Sequence, residues 1–248
     1  MNKHARGGFT IIEVILFLGV TGLMMLGIFV GVWGSITQQR YKDAVVSFQE
    51  SLRQTYGDVV AVQNNRVATA SGDCIGGVGT STCVILGRYL HVSSQSSAGT
   101  GPSIITVSDV IGTIPPTGSV ATGYIDILRS YQPRVINNAN RSVSQMQWQT
   151  QLRWPNGDAG NGFSMLVIRS PETGQIHTFT WRGNSTTPNL VPVGGPITAA
   201  NETNPTNRLL CVDTNGMSVP PSGIRIQPRA STAAAIGQIA NDAEGSPC

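Results

Sequence analysis

Three residues near the start of the 248-residue chain carry the most pointed chemistry: Gly8, Phe9 and Glu13. Hydrolysis after Gly8 would expose a cationic α-amine on Phe9, four residues from the Glu13 carboxylate. In a helix that separation is one turn. Glu13 sits in an otherwise apolar run. An ionised carboxylate costs about 2.5–3.5 kcal/mol at a bilayer centre and less near the interface. Such a residue is normally paired. The new amine is a fitting partner, whether its own or that of a neighbouring chain, and a desolvated pair of this kind would set the register of an assembly.

Four cysteines follow: Cys74, Cys83, Cys211 and Cys248. An even count in an exported domain reads as two disulfides. Three connectivities are open. The favoured one closes the Gly-rich CIGGVGTSTC loop through Cys74–Cys83 and staples the C-terminal tail through Cys211–Cys248. There is no CxxC, and His4, His91 and His177 are not grouped with the cysteines, so no zinc site is expected. Asn156-Gly-Asp158 and Asp213-Thr-Asn215-Gly216 resemble fragments of calcium loops. They lack the terminal bidentate glutamate, and turn chemistry explains them more simply. No metal or cofactor is called for. The chain has no Gly-rich phosphate loop, HExxH, GxSxG or paired-carboxylate arrangement, which argues against an enzyme. Trp148, Arg153, Trp154, Arg169, Trp181 and Arg182 would make either a binding face or a meander with buried tryptophans and exposed arginines; the second is favoured. Asn140, Asn184 and Asn201 head glycosylation sequons, a motif frequent by chance.

The element that must position Glu13 is the segment after it. From Val14 to Ile36 the chain carries no charge at all. As a helix this run spans roughly 34 Å, enough to cross a bilayer. Lys3 and Arg6 precede it and no basic residue immediately follows, which predicts a cytoplasmic N-terminus with everything else outside. A secretory signal has a shorter apolar core and a small-x-small cleavage site. Here the run is too long and WGSITQQR offers no such site, so any cut lies before the run. A plain uncleaved anchor would account for hydrophobicity and orientation, but not for Gly7-Gly8-Phe9 or for Glu13.

Past the membrane, Val45, Phe48, Leu52, Tyr56 and Val59 recur at three- and four-residue spacing. Lys42, Asp43, Gln49, Glu50 and Arg53 fill the other face. The helix is expected to continue to between Gly57 and Asn65. Short strands then alternate with Gly, Ser, Pro and Asn clusters at 83–93, 103–110, 123–131, 144–154, 163–169, 175–181, 208–213 and 223–227. The segments 144–154, 163–169 and 175–181 are expected to form a meander, and 94–102 and 183–206 to be polar loops. The fold class is α+β: a long N-terminal helix packed on antiparallel β-sheet. The organisation is a leader (1–8), a transmembrane helix (9–36), its amphipathic continuation (37–63) and an exported β-rich domain (64–248).

Only 12% of residues are charged. Ordinary globular domains carry about twice that share. The formal net charge is +3, but loss of Lys3 and Arg6 with the leader leaves 14 basic side chains against 13 acidic ones, a net of +1. So weak a field argues against nucleic acid as a partner.

The stretch Arg6-Gly7-Gly8-Phe9-Thr10-Ile11-Ile12-Glu13-Val14 resembles the type IV pilin superfamily, which includes the pseudopilins of type II secretion systems. The resemblance covers about 30 residues. It implies cleavage after Gly8 by prepilin peptidase, N-methylation of Phe9, and an assembly role for Glu13. It further implies a pilin-like fold and partners comprising other pilins or pseudopilins, an inner-membrane assembly platform and the lipid bilayer. The protein would begin as a single-pass inner-membrane precursor and end in a periplasmic or extracellular filament. Some pseudopilins bind calcium. Many major pilins carry a proline midway along this helix. Here Gly19, Gly22, Gly27, Gly31 and Gly34 stand instead, with Gly27 and Gly31 as a GxxxG pair. The missing proline and the large exported domain point to a minor subunit. Two other readings stay open: a filament-tip recognition or DNA-binding minor pilin, and an uncleaved membrane-anchored surface protein.

Overall fold

The computed structural model describes residues 10–61, 83–94, 101–115, 121–136, 141–155, 162–183, 185–213, 216, 219–239 and 248. Gly8, Phe9 and Cys74 lie outside the described residues, as do His4, Asn140, Asn156, Asp158, Asn184 and Asn215.

One helix, α1, runs unbroken from Ile11 to Val60, about 75 Å at 1.5 Å per residue. Thr10 caps its start: the Thr10 side chain accepts from the Glu13 backbone N–H at 3.3 Å. At its other end the Ala61 N–H closes on the Gly57 carbonyl at 2.9 Å, inside the range expected from sequence. The apolar periodicity holds along the second half. Val45, Phe48, Leu52, Tyr56 and Val59 are all buried, and Tyr41 and Ala44 extend the stripe. Gln49, expected on the solvent face, is buried instead, where its amide donates to the Ile236 carbonyl at 3.1 Å.

The stripe packs against two antiparallel sheets. The larger takes β1 (Cys83–Ser94), β2 (Ser103–Thr113), β3 (Arg134–Ile136), β4 (Ser142–Gln145), β6 (Phe163–Arg169) and β7 (Ile176–Arg182), in the order β3-β2-β1-β6-β7 with β4 also on β2. The smaller takes β5 (Gln151–Arg153), β8 (Leu209–Asp213), β9 (Ser222–Ile226) and β10 (Ile236–Ile239), in the order β10-β9-β8-β5. The layout is α+β as expected, with a long N-terminal helix on antiparallel sheet in the manner of a pilin.

Both faces of the larger sheet are covered, which explains why β6 reads as an almost continuous apolar run. Phe163, Met165 and Val167 point into the core shared with α1 and the smaller sheet. Leu166 and Ile168 point into a second core with Tyr89, Phe179, Leu190 and Ile197. Gly87 marks a bulge in β1, where the register with β2 shifts between Ile85 and Gly87. A Cβ there would overlap the Val167 carbonyl oxygen and lie 2.9 Å from the Ile168 Cα, so the close approach of β6 requires glycine.

Two expected strands are corrected. Segment 123–131 is a helix, α2 (Tyr124–Ser130), whose Leu128 is buried and whose Ile125 and Ile127 pack on the second core. Its place between turn-forming clusters suggested a strand, but covering the sheet face decides the conformation. Segment 144–154 is not one strand of a meander. β4 pairs with β2, β5 pairs with β8, and β6 pairs with β1 and β7. The β6–β7 hairpin is the part of the meander that forms. Ser103 holds the break between β4 and β5, its N–H donating to the Thr150 carbonyl at 3.2 Å and its carbonyl accepting from the Met146 N–H at 2.9 Å. The polar stretch 183–206 also contains a short helix, α3 (Ala199–Thr203), capped by the Thr198 side chain.

Candidate assembly surface

The residue with the clearest chemical assignment, Glu13, occupies the first turn of α1. Thr10-Ile11-Ile12-Glu13 has the S/T-x-x-E spacing of a capping box, and the Thr10 half of it forms. A carboxylate at this end also meets the positive pole of the helix dipole, a favourable term of about 0.3–1 kcal/mol. Among the described residues no cation reaches the Glu13 carboxylate. Two hydroxyls further along are satisfied within the helix, Thr21 donating to the Phe17 carbonyl at 2.7 Å and Thr37 to the Trp33 carbonyl at 3.0 Å. Internal satisfaction is what a bilayer demands.

Among the described residues, the apolar half of α1 is exposed nearly throughout. Its most apolar window is wholly exposed and long enough to cross a membrane. Leu23 is 72% exposed, whereas Leu52 on the same helix is 0%. An apolar surface of this extent requires lipid or other helices around it. The glycines on it are not explained by packing inside the chain: a Cβ added at Gly19, Gly22, Gly27, Gly31 or Gly34 would meet no atom within 4 Å.

Cys211 and Cys248 are disulfide-bonded as expected, tying β8 to the last residue across 37 positions. Gly223, paired with Cys211 in the β8–β9 register, makes room for it; a Cβ there would lie 3.0 Å from the Cys248 sulfur. Cys83, at the start of β1, is also disulfide-bonded.

Other singled-out residues turn out to be structural. Asp213, from one calcium-loop fragment, pairs with Arg153 at 2.6 Å across β5 and β8. Asn201 directs its amide to the Pro196 carbonyl at 2.9 Å, so that sequon nitrogen is engaged. His91 is fully buried, bonded through Nδ1 to the Ser164 hydroxyl at 3.2 Å, and burial pushes its pKa below the ordinary 6.5. His177 pairs with buried Glu202 at 2.9 Å, and Glu202 also accepts from the Tyr124 hydroxyl at 2.5 Å. Burial, then Glu202, pushes Tyr124 up to about 12.

The tryptophans do not share a face. Trp154 is buried with the Arg182 guanidinium stacked on it at 4.4 Å, Trp181 stacks on Tyr89, and Trp148 remains 47% exposed. Sequence reasoning missed the buried polar network around Arg208. This guanidinium, 1% exposed, donates to the carbonyls of Gln227 at 2.7 Å, Thr178 at 2.7 Å and Glu202. Tyr56 of α1 joins through Thr178 at 2.8 Å, and its burial lifts it to about 12. An isolated arginine in a turn sequence gives no signal for this. Arg208 also lines a cleft of about 510 Å³ together with Arg182, Arg225, Pro155, Leu209 and Ile226.

Comparison with family models, with curated proteins and with solved structures finds no match to this chain.

Proposed function

We propose that this chain is a structural, non-enzymatic subunit of a type IV pilus or a type II secretion-like pseudopilus, most consistent with a minor subunit. The observation that carries the proposal is Glu13: a carboxylate in the first turn of a helix whose apolar half is exposed nearly throughout and whose other half is core. Cleavage after Gly8 by prepilin peptidase creates the Phe9 amine, which is then N-methylated. In the filament that amine meets Glu13 of a neighbouring subunit. The pair, desolvated among packed helices, favours the correct register and penalises every other. The precursor sits in the inner membrane with its N-terminus in the cytoplasm, and the assembly platform draws it into the filament. Because α1 is continuous, the element that packs in the filament is also the spine of the exported fold.

The test is the intact mass of the protein from cells with and without prepilin peptidase. A product beginning at methylated Phe9 only in the peptidase-positive strain supports the reading. Full-length protein in both strains overturns it and leaves an uncleaved surface anchor. A second reading, a tip module that recognises an anionic partner, draws on the exposed Arg182 and Arg225 beside the cleft, since the Arg208 guanidinium is buried on backbone carbonyls. Salt-sensitive DNA binding by the purified protein would support it.

A further inference from the structure

Trp148 is held outward by a backbone that most tryptophans avoid. Both Trp148 and Gln149 adopt left-handed conformations, with φ of 56° and 58°. Met146 and Trp154 of the same stretch enter the core, while the Gln147-Trp148-Gln149 turn stays exposed. The Trp148 ring, 47% exposed, does not join them there. Instead the ring lies against α1, with the Arg40 guanidinium 4.7 Å from its centroid.

The height of this pair along α1 identifies its surroundings. The charge-free run Val14–Ile36 is centred on Met25. Arg40 is fifteen residues beyond, roughly 22 Å along the helix. Half the thickness of a bilayer including headgroups is about 20–22 Å. Trp33 lies two turns before Arg40, on the same stripe of the helix just below. It is 76% exposed.

We infer that Trp148 and Arg40 form a lipid-interface seat, by which the exported domain rests on the outer headgroup layer of the membrane that α1 spans. The indole ring occupies the interfacial belt that tryptophan favours, with its edge toward the acyl chains. The Arg40 guanidinium, stacked on the ring, donates to lipid phosphates from the level where long basic side chains snorkel. The neutral Gln147 and Gln149 flank the ring and add no repulsion toward anionic headgroups. The inference rests on the reading that α1 crosses the bilayer, and the experiment separates the two.

The full chain is reconstituted into phosphatidylcholine–phosphatidylglycerol vesicles as wild type, Trp33→Phe, Trp148→Phe and the double variant. Trp154 and Trp181 supply a constant background, so difference spectra against the double variant isolate Trp148 and Trp33. Lipids brominated near the headgroup end of the acyl chain are expected to remove most of the Trp148 emission, and aqueous iodide little of it. Deeply brominated lipids are expected to quench Trp33 more than Trp148. Trp148 emission lost to iodide and untouched by brominated lipid overturns the seat, as does emission that resists both, which would place the ring against protein. Trp33 emission indifferent to every brominated lipid overturns the membrane span itself, and the seat with it.

Discussion

Breaking the Cys211–Cys248 disulfide measures what ties the C-terminus to the fold. The bond closes a loop over 37 positions. Chain-entropy arguments assign such a closure about 4 kcal/mol of stabilisation through the unfolded state. Replacing Cys248 by Ser leaves Cys211 packed in β8, so the loss should be close to that figure. Cys211 is only 5% exposed beside Leu210 and Val212. Cys211→Ser therefore adds a buried hydroxyl and should cost about 1–3 kcal/mol more. Substitution is preferable to reductant because Cys83 is disulfide-bonded too. The assay is urea unfolding of the full chain in detergent micelles, read through total tryptophan emission under non-reducing conditions. If Cys248→Ser unfolds within about 0.5 kcal/mol of wild type, inside the extrapolation error, the loop-closure reasoning is wrong.

Gly87→Ala drives a Cβ into the Val167 carbonyl oxygen, between paired strands that cannot part. A loss of about 3–5 kcal/mol is expected, seen as a lower urea midpoint or insoluble protein. His91 has its folded pKa lowered by burial, so the unfolded state takes the proton first as pH falls below the ordinary 6.5. Stability should therefore drop on acidification from neutral, with a limiting slope of about 1.4 kcal/mol per pH unit for one proton. Unfolding midpoints of His91→Gln against wild type between pH 7 and 5 isolate this contribution; parallel curves would exclude it. Alanine at both Gly27 and Gly31 meets no atom within the chain and gains about 1 kcal/mol of helix propensity per site. The exported fold should melt unchanged, while the yield of sheared filaments falls; an unchanged yield would dismiss close helix contact at these positions.

The helix was legible because one residue pattern answered to one environment at a time. Val14–Ile36 is apolar nearly all round and is exposed at almost every described side chain; Val45 to Val59 is striped and is buried along the stripe. The strands were legible one by one, since β1, β2, β6, β7, β8 and β9 fall close to their expected bounds. Their pairing was not. The alternation in Ser144–Trp154 is real, but a left-handed turn at Trp148 sends its two halves to different sheets. Such a turn has no sequence signature when it uses tryptophan and glutamine rather than glycine. Likewise Tyr124–Ser130 carries β-branched residues on a short helix because the second core needs a lid. Of the proposed site, Glu13 and the Cys211–Cys248 pair could be picked out from residue type and context. The Arg40–Trp148 contact joins distant positions that no local pattern links.

The unbroken course of α1 makes it a lever arm. No proline or break lies between the apolar run and the core stripe, so the β-rich fold turns with the apolar half of the helix. From Arg40 to Val60 is about 30 Å of helix. A tilt of about 20°, ordinary for a membrane helix, swings the far end sideways by about 10 Å and tips the Trp148 turn into or away from the lipid. Under the proposed membrane span, the direction in which the helix leans fixes which flank of the fold faces the lipid, and a pull on the arm is delivered to the core through one continuous helix.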